Sequence, residues 1–476
     1  MIGREKEKKE LEQLYNSGRA ELVAVCGRRR VGKTFLINEM FSNKFTFKHT
    51  GLSPEEHKKE NALRTQLGHF HDSLKEYGLK NSERPESWLE AFSLLRALLS
   101  EKDNGTRQVV FIDELPWLDT KRSGFITGFE AFWNGWGSAR HNLMVIVCGS
   151  STLWMQNKLI NNHGGLYGRI TYEIYLTPFN LGEIELFFKD RGIELSQYDI
   201  AQSYMILGGI PYYIGYFKRH LSLAQNIDEL FFKPHAKLKD EYTRLFRSVF
   251  SNPEQIMLIV DALGKRRMGY TRSELAAKIK TSENGKLTDS LNALIAGDFI
   301  MKYVPFGMSR NKTHYKLIDP FCIFYLHFVK EQDILNEDFW EENVNSQPVV
   351  SWRGIAFENL CFNHIRQIKD ALKIGNVASH QSAWVKRDEG KDGTQIDLLI
   401  DRKDNIVNMC EIKFYGGDYS VDKGYYRTLM NRKELLSHEV SKKTAIHNTL
   451  ITTFGLMQNE YSGIFTDVIT LDELFE

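Results

Sequence analysis

Residues 27–34 read Gly-Arg-Arg-Arg-Val-Gly-Lys-Thr, which fits the pattern GxxxxGK[ST] without a gap. The loop follows the apolar run Glu21–Cys26 and precedes a helix-compatible run, Phe35–Phe41. This strand-loop-helix order suits a phosphate site, because glycines let backbone N–H groups curl around phosphates and the helix N-terminus favours an anion. We therefore predict a nucleoside triphosphate site, most simply for ATP, in which Lys33 reaches the β and γ phosphates and the Thr34 hydroxyl holds Mg²⁺.

Eight consecutive loop residues are predicted to contact the nucleotide. They are Gly27, Arg28, Arg29, Arg30, Val31, Gly32, Lys33 and Thr34. Three arginines in a row are unusual inside such a loop, and some of them can simply be solvated. A chance match to the pattern in a basic loop is the alternative interpretation.

A second strand-like run ends in two acids. Val109–Ile112 is apolar and is followed by Asp113 and Glu114. At the C-terminal end of a strand, Asp113 is placed to support Mg²⁺, and Glu114 can polarise the attacking water as a general base. The alternative is a pair of solvated acids at a strand end, which a neighbouring phosphate loop makes less favoured.

Two further positions are candidates for contact with the γ-phosphate. Leu143–Cys148 reads as a strand and is followed by Gly149, Ser150 and Ser151, so Ser150 can sense the phosphate; a simple Gly/Ser turn is the alternative. Arg169, which ends the sequence Gly-Leu-Tyr-Gly-Arg, can supply positive charge. A surface arginine explains that motif equally well.

Residues 1–235 alternate apolar, strand-like runs with helix-compatible stretches. Glu173–Leu176 adds a fourth strand to the three already named. This alternation predicts an α/β fold with a mostly parallel sheet. We predict that residues 1–235 form a P-loop ATPase domain that includes a helical lid.

The pattern changes between residues 236 and 330. Three short helices are predicted at Glu254–Leu263, Arg272–Ile279 and Lys286–Ile295, and two strands at Phe299–Val304 and Thr313–Leu317. Three helices followed by a two-stranded wing indicate a winged-helix domain. Any small helical domain with a hairpin is the alternative.

Residues 331–476 are predicted to form a third, α/β domain. Its elements are a helix at Ile355–Ile368, strands at Gln395–Ile400, Ile406–Phe414 and Thr449–Phe454, and a helix from about Asp422 to Leu436. A turn at Asp401–Asn405 joins the first two strands. We expect that pair to be antiparallel.

Several motifs together resemble the archaeal-type ATPases, which belong to the AAA+-related signal-transduction ATPases with numerous domains. They are the opening Ile2-Gly3-Arg4-Glu5, the loop GRRRVGKT, the strand IDELPWL, the turn GSS, the motif LYGR, and Gly208-Gly209-Ile210-Pro211. The resemblance covers roughly residues 1–320. It implies an AAA+-type domain in which Gly3 and Arg4 lie near the adenine and the segment 209–211 replaces a second sensor.

A constellation of charged residues interrupts the apolar strands near the C-terminus. Glu411 and Lys413 are two apart on one predicted strand, so both point to one face, and Asp397 lies on the adjacent strand. With Glu358 helping, Asp397 and Glu411 can hold one or two magnesium ions, while Lys413 orients or deprotonates the water that attacks a phosphodiester. A hairpin with surface charges is the alternative.

This D…ExK pattern resembles the restriction-endonuclease-like, PD-(D/E)xK nuclease superfamily, and in particular the nuclease-like domain that often ends archaeal-type ATPases. The resemblance covers about residues 340–476, including the closing segment Ile469–Phe475. It departs from a common version of the pattern at Gln395, where that version has Glu. Glutamine offers a carbonyl oxygen but no negative charge, so we expect a lower metal affinity.

The charge balance, the apolar runs and the cysteines indicate which classes of protein the chain can belong to. Lys plus Arg number 62 and Asp plus Glu 61, giving a net charge of +1, so any nucleic-acid surface must be a local patch. The polar start has no signal-peptide core, and no apolar run approaches the roughly 18 residues of a membrane helix. We expect a cytoplasmic protein, not associated with membranes, with reduced cysteines. The five cysteines, which lack CxxC spacing, are Cys26, Cys148, Cys322, Cys361 and Cys410.

Two groups of basic residues are candidate contacts to a phosphate backbone. Those around the predicted third helix and wing are Lys278, Lys280, Lys286, Lys302, Arg310 and Lys312. Those in the last domain are Lys423, Arg427, Arg432 and Lys433. A lid acting on the nucleotide is the alternative for the first group, and a solvated helix face for the second.

The leading hypothesis is an ATP-controlled, magnesium-dependent nuclease that acts on nucleic acid, DNA above all. One alternative is a signalling ATPase whose C-terminal domain binds without cutting, and another is a DNA-binding transcription regulator. A homo-oligomer is compatible with each of them.

Overall fold

The computed structural model describes residues 2–53, 61–309, 312–330, 336–388 and 391–476. The chain divides into two compact units, Met1–Pro178 and Phe179–Glu476. Both of the later predicted domains, and residues 179–235, fall in the second unit. The division into three domains therefore stays a prediction.

The first unit is built on a parallel five-stranded sheet, as the alternation of apolar runs predicts. Its strand order is β2-β3-β4-β1-β5. The strands are β1 (Glu21–Cys26), β2 (Phe45–Thr50), β3 (Gln108–Asp113), β4 (Leu143–Cys148) and β5 (Tyr172–Tyr175). Every residue of β1, β3 and β4 is buried, because these central strands are covered on both faces.

The helices of the first unit lie before, between and after its strands along the chain. They are α1 (Glu5–Tyr15), α2 (Lys33–Phe41), α3 (Ala62–Glu76), α4 (Trp88–Glu101), α5 (Leu115–Leu118), α6 (Phe125–Gly135) and α7 (Thr152–Met155). Helices α4 and α6 pack closely: the Trp88 and Phe125 rings meet edge-to-face with centroids 4.9 Å apart. A side chain at Gly128 would lie 2.9 Å from the Trp88 backbone, so glycine permits this approach.

The second unit begins with helices and a small sheet. Helices α8 to α16 are Leu181–Asp190, Gln197–Leu207, Pro211–Ile214, Leu223–Phe231, Glu241–Val249, Pro253–Gly264, Arg272–Lys278, Gly285–Ala296 and Pro320–Phe328. Strands β6 (Tyr270–Thr271), β7 (Ile300–Tyr303) and β8 (His314–Leu317) form an antiparallel sheet of order β6-β8-β7. The three helices and two strands predicted for this segment are therefore present, and β6 adds a third strand.

The rest of the second unit is a mixed sheet with helices. The helices are α17 (Phe339–Asn343), α18 (Gln347–Asn363), α19 (Ile365–Ala371) and α20 (Lys423–Ser437). The strands are β9 (Ser379–Asp388), β10 (Lys391–Arg402), β11 (Ile406–Lys413), β12 (Ala445–Thr452) and β13 (Asp467–Ile469), in the order β13-β12-β11-β10-β9. The pairing of β10 with β11 is antiparallel, as we expected.

The helix predicted at Ile355–Ile368 differs from the structure at both ends. Helix α18 begins eight residues earlier, at Gln347, where Pro348 suits the first turn. It ends at Asn363, because His364 leaves helical geometry and bonds to its surroundings: its Nδ1 lies 2.9 Å from the Leu360 carbonyl, and its Nε2 accepts the Leu181 N–H at 3.1 Å.

All five cysteines are buried free thiols, which confirms the expectation of reduced, buried residues. Burial raises the pKa of Cys26 to about 12 and the pKa of Cys361 well above its ordinary value. In the part of the chain that the structure describes, no helix combines the length and apolar character needed to cross a membrane.

Candidate functional site

The predicted phosphate loop connects β1 to α2. Gly32 has a φ of +96°, and Lys33 begins the helix. The Lys33 ammonium donates to the carbonyls of Gly27 at 2.7 Å and Arg28 at 2.9 Å, which holds it over the loop. These carbonyls carry only partial charges, so a phosphate would be a stronger partner for the same protons.

Gly27 has no space for a side chain. Its φ is +138°, and an added Cβ would lie 2.3 Å from the carbonyl oxygen of Leu176, the residue directly after β5. The loop can pass this strand only because residue 27 is glycine. The first glycine of the pattern thus serves packing between loop and sheet.

Thr34 and Asp113 meet beside the loop. The Thr34 hydroxyl donates to Asp113 Oδ2 at 2.7 Å, while Asp113 Oδ1 accepts the Glu114 N–H at 2.9 Å. A hydroxyl and a carboxylate side by side are oxygen donors of the kind that Mg²⁺ takes together with nucleotide phosphates. These two residues therefore fit the predicted magnesium ion.

The Glu114 carboxylate is hydrogen-bonded to Ser150, the residue predicted to sense the γ-phosphate. Ser150 donates to Glu114 Oε2 from its backbone nitrogen at 3.0 Å and from its hydroxyl at 2.8 Å. Glu114 adopts φ +48° and ψ +48°, a strained conformation for a residue with a side chain, just before α5. Such strain concentrates at functional sites, where the surrounding structure holds it.

The four residues between the loop glycines have different surroundings. Arg28 and Val31 are buried. The Arg29 guanidinium lies over the Trp117 ring, 5.9 Å from its centroid, and Arg30 has a φ of +71°. Their predicted contacts with the nucleotide stay predictions, and the stacking of Arg29 on Trp117 could not be foreseen from the loop pattern.

Arg4 supports the loop from outside. It is buried, and its Nη2 donates to the carbonyls of Thr177 at 2.6 Å and Val31 at 3.3 Å. Gly3 and Arg4 both have positive φ, 64° and 62°. This bracing of Val31 is a role that the sequence did not indicate, and the proximity of Gly3 and Arg4 to an adenine stays a prediction.

Arg169 is exposed in a turn, where its backbone N–H donates to the Leu166 carbonyl at 3.0 Å. Among the described residues, no hydrogen bond or ion pair joins its guanidinium to the phosphate loop. The structure therefore brings Lys33, Thr34, Asp113, Glu114 and Ser150 to one edge of the sheet, but not Arg169.

The family model for the "ATPase domain predominantly from Archaea" matches residues 1–217. Residues 1–217 match an archaeal-type ATPase domain. This confirms the resemblance drawn from the motifs over that part of the chain. In this ATPase domain, the match includes the phosphate loop, the Asp113–Glu114 pair and the Gly208–Pro211 segment.

Three archaeal proteins are among those similar to the chain. An uncharacterised protein of Methanocaldococcus jannaschii is 22% identical over 441 residues, which cover 91% of this chain and 92% of that protein. A Walker-type ATPase of Pyrococcus abyssi is 19% identical with a TM-score of 0.47, covering 68% of this chain and 96% of its own. A signal-transduction ATPase with a tetratricopeptide repeat sensor from Pyrococcus horikoshii is 17% identical with a TM-score of 0.31, covering 79% of this chain and 48% of its own.

Beyond the ATPase domain, the predicted metal ligands Glu358 and Asp397 share one partner. Nη2 of Arg267 contacts Glu358 Oε1 and lies 2.5 Å from Asp397 Oδ2. The Gln395 amide, which replaces the glutamate of the common nuclease pattern, donates to Asp397 Oδ1 at 2.6 Å. Both carboxylates are therefore occupied by donors from the chain itself.

A second cation, Lys316, is buried near the same carboxylates. Burial lowers the pKa of its ammonium to about 8, against the opposing effect of Glu358 and Asp397. Burial also raises the pKa of Glu358 to about 7, and the neighbouring Asp397 carboxylate adds to that rise. The cluster contains two acids and two bases, so its charges balance when all four are ionised.

Glu411 has a different set of partners. The Lys413 ammonium lies 2.9 Å from Glu411 Oε1, as their shared strand face predicts, and Arg432 from α20 donates to Oε2 at 2.8 Å. The Tyr425 hydroxyl donates to Oε1 as well. Arg432, predicted to face a phosphate backbone, is thus paired with Glu411.

The three predicted carboxylates do not form a common cation site in this arrangement. Within the described ranges, the group of three acidic ligands that lie within 4.8 Å of one another is Asp228, Asp338 and Glu341. That group has a structural role, since Asp228 accepts the N–H groups of Trp340 and Glu341. Glu358, Asp397 and Glu411 as placed here do not fit a shared metal ion, and their role in metal binding stays a prediction.

Most of the basic residues predicted to contact nucleic acid are exposed. The described lysines of the first basic group are all exposed: Lys278, Lys280, Lys286, Lys302 and Lys312. Arg310 lies outside the described residues. In the second group Lys423 and Arg427 are exposed and Lys433 is half-buried.

Proposed function

We propose that the ATPase domain binds ATP with magnesium and hydrolyses it, with Glu114 as general base. The phosphate loop and Lys33 bind the phosphates, and Thr34 and Asp113 hold the ion. The magnesium ion, when bound, neutralises charge on the phosphate oxygens. Glu114 accepts a proton from the attacking water once its carboxylate is released from Ser150.

The observation that supports this proposal most is the convergence of its residues on one sheet edge. The phosphate loop follows β1, and Ser150 follows β4. Asp113 is the last residue of β3, and Glu114 comes directly after it. These three strands are neighbours in the order β3-β4-β1. In parallel sheets, ligands bind outside the carboxyl ends of the strands. A chance match in a basic loop does not explain the bonds Thr34–Asp113 and Ser150–Glu114.

The test is phosphate release from ATP by the full chain, with magnesium and with a chelator. We expect turnover that requires magnesium and is lost in Lys33→Ala. A chain that never releases phosphate, or that does so equally well in Lys33→Ala, contradicts the proposal.

We further propose, as a second function, that residues 331–476 form a restriction-endonuclease-like domain that cleaves DNA under ATP control, with a winged-helix segment between it and the ATPase domain. The antiparallel β10/β11 pair and the 2.9 Å contact between Lys413 and Glu411 support the strand arrangement on which the D…ExK comparison rests. The ion pairs on Glu358, Asp397 and Glu411 favour the rival, a signalling ATPase or DNA-binding regulator that does not cut.

One experiment separates these alternatives. The full chain is incubated with plasmid, single-stranded DNA and RNA, with magnesium or manganese, and with or without ATP. Cleavage in the presence of metal supports the nuclease. Binding without cleavage under every condition supports the rival.

A further inference from the structure

Arg267 takes the place in which a cation would hold two carboxylates together. It lies between α13 and β6, while Glu358 comes from α18 and Asp397 from β10. A single nitrogen, Nη2, contacts one oxygen of each acid. A divalent ion and a bridging guanidinium have this in common: each brings two carboxylate oxygens to one positive centre.

We infer that Arg267 is an internal substitute for a divalent metal ion, and that Glu358 and Asp397 bind the ion only when the Arg267 side chain withdraws. Only the use of the bound ion in DNA cleavage rests on the proposed nuclease function. The binding of the ion itself does not depend on cleavage. It explains why the predicted ligands are well placed for each other and yet do not fit a metal as they stand.

The geometry allows Arg267 to leave without disturbing the backbone. Its side chain is 34% exposed, whereas that of Glu358 is 8% exposed, so the guanidinium borders solvent and the carboxylate does not. The adjoining backbone is anchored, because the Tyr303 hydroxyl donates to the Met268 carbonyl at 2.9 Å and Gly269 N–H donates to the Arg266 carbonyl at 2.8 Å. Withdrawal is therefore a rotation of the side chain.

Two oxygens beside the pair are available to an incoming ion or its water. Glu358 Oε2 and Ser382 Oγ are buried and have no hydrogen-bond partner among the described residues. Ser382 lines a small cavity together with Asp397 and Lys316. A buried oxygen without a partner is costly, and a metal ion with bound water removes that cost.

Charge explains why the two states exclude each other. With Arg267 in place, the two acids are balanced by Arg267 and Lys316, and a divalent ion would add two positive charges next to a guanidinium. With Arg267 withdrawn, the acids exceed the remaining base by one charge. Like charges at contact distance disfavour each other strongly where solvent is excluded, so ion and guanidinium compete for one position.

The test is Mn²⁺ binding to the full chain without nucleotide or nucleic acid, followed by electron paramagnetic resonance. We expect Arg267→Gln to bind Mn²⁺ on the order of tenfold more tightly than the wild type, since a competing charge is removed. Adding Asp397→Asn to that variant should abolish the gain. The matched control is Arg266→Gln, because Arg266 bonds to Glu274 at 3.2 Å and stacks on Tyr270 without touching the acids.

Arg267→Met provides a second variant that keeps the volume of the side chain. A folded Arg267→Gln or Arg267→Met protein without tighter Mn²⁺ binding overturns the inference. It is equally overturned if neither variant folds, because a residue that the fold cannot spare is not one that withdraws. If metal binding is gained but no nucleic acid is ever cut, the inference stands and the proposed nuclease fails.

Discussion

Ser150 donates two hydrogen bonds to one carboxylate oxygen of Glu114, one from its backbone nitrogen at 3.0 Å and one from its hydroxyl at 2.8 Å. The two bonds together fix the orientation of the Glu114 carboxylate. The hydroxyl can rotate towards another acceptor, whereas the backbone N–H cannot. A γ-phosphate beside Ser150 would compete for the hydroxyl and leave room on that Glu114 oxygen for a hydrogen bond from the attacking water.

The first prediction concerns Glu114 itself. Glu114→Gln should bind ATP as tightly as the wild type and hydrolyse it about 10² to 10⁴ times more slowly, since an amide cannot accept the proton of the attacking water. Phosphate release measures the rate, and calorimetric titration measures affinity. Glu101→Gln, an exposed acid at the end of α4, is the control. Wild-type turnover in Glu114→Gln would exclude Glu114 as the base.

The second prediction is that Lys33→Ala abolishes tight ATP binding. The change removes the ammonium that now bonds to the Gly27 and Arg28 carbonyls and that we expect to meet the β and γ phosphates. Calorimetric titration is the measurement, with the exposed Lys121→Ala as the control. An unchanged dissociation constant in Lys33→Ala would refute the loop assignment.

The third prediction tests Arg169. If Arg169 meets charge that grows in the transition state, Arg169→Ala should slow hydrolysis more than it weakens ATP binding. Because Arg169 lies in an exposed turn, its side chain must move towards the nucleotide to make this contact. Equal losses in kcat/KM and in affinity would indicate ordinary ground-state binding instead.

The fourth prediction is a pH dependence of stability that comes from His364. Burial lowers the pKa of this imidazole to about 4, below its ordinary 6.5, so folding favours the neutral form. The contribution is complete above pH 6.5 and is lost as pH falls from 6.5 towards 4, by up to about 3 kcal/mol.

Urea unfolding of the full chain between pH 7 and pH 4.5 measures this loss. His364→Gln should show less of it, because its amide can still accept the Leu181 N–H and does not titrate. His380→Gln, at an exposed histidine, should follow the wild type. Identical pH profiles for wild type and His364→Gln would contradict the assignment.

The fifth prediction concerns the carboxylates of the second unit. Asp397→Ala and Lys413→Ala should each abolish metal-dependent cleavage of plasmid and leave ATP affinity unchanged, since neither residue belongs to the phosphate loop. Added metal should rescue Asp397→Ala only if Glu358 and Glu411 still hold the ion, and should not rescue Lys413→Ala. Cleavage that survives both changes would place the activity elsewhere.

The parts of the fold that the sequence predicts well are those with a local signal. Strands β1 and β4 match their predicted bounds, because a strand buried on both faces is a continuous apolar run. Strand β2 was missed because its sequence FTFKHT contains Lys48 and His49. His49 is nevertheless buried, with its Nδ1 2.9 Å from the Ser73 hydroxyl, a partner that only the fold brings near.

The candidate sites, like the strands, can be predicted only where the signal is local in the sequence. The loop pattern and the two acids at the end of β3 predict the proposed ATP site, since each lies within a few residues of a strand end. Two partners of the C-terminal carboxylates come from far along the chain: Arg267 is 91 residues before Glu358, and Arg432 is 21 residues after Glu411. No periodicity or spacing relates such residues, so their ion pairs are known only from the structure.

Because all five cysteines are buried, their reaction with a thiol reagent can report on each unit separately. Cys26 and Cys148 belong to the first unit, and Cys322, Cys361 and Cys410 to the second. A thiol reagent reaches these sulfurs only when the surrounding structure opens, so alkylation rates read peptide by peptide measure local opening in both halves of one sample. Slower labelling of the second set when ATP is added would reveal communication between the units without any engineered dye.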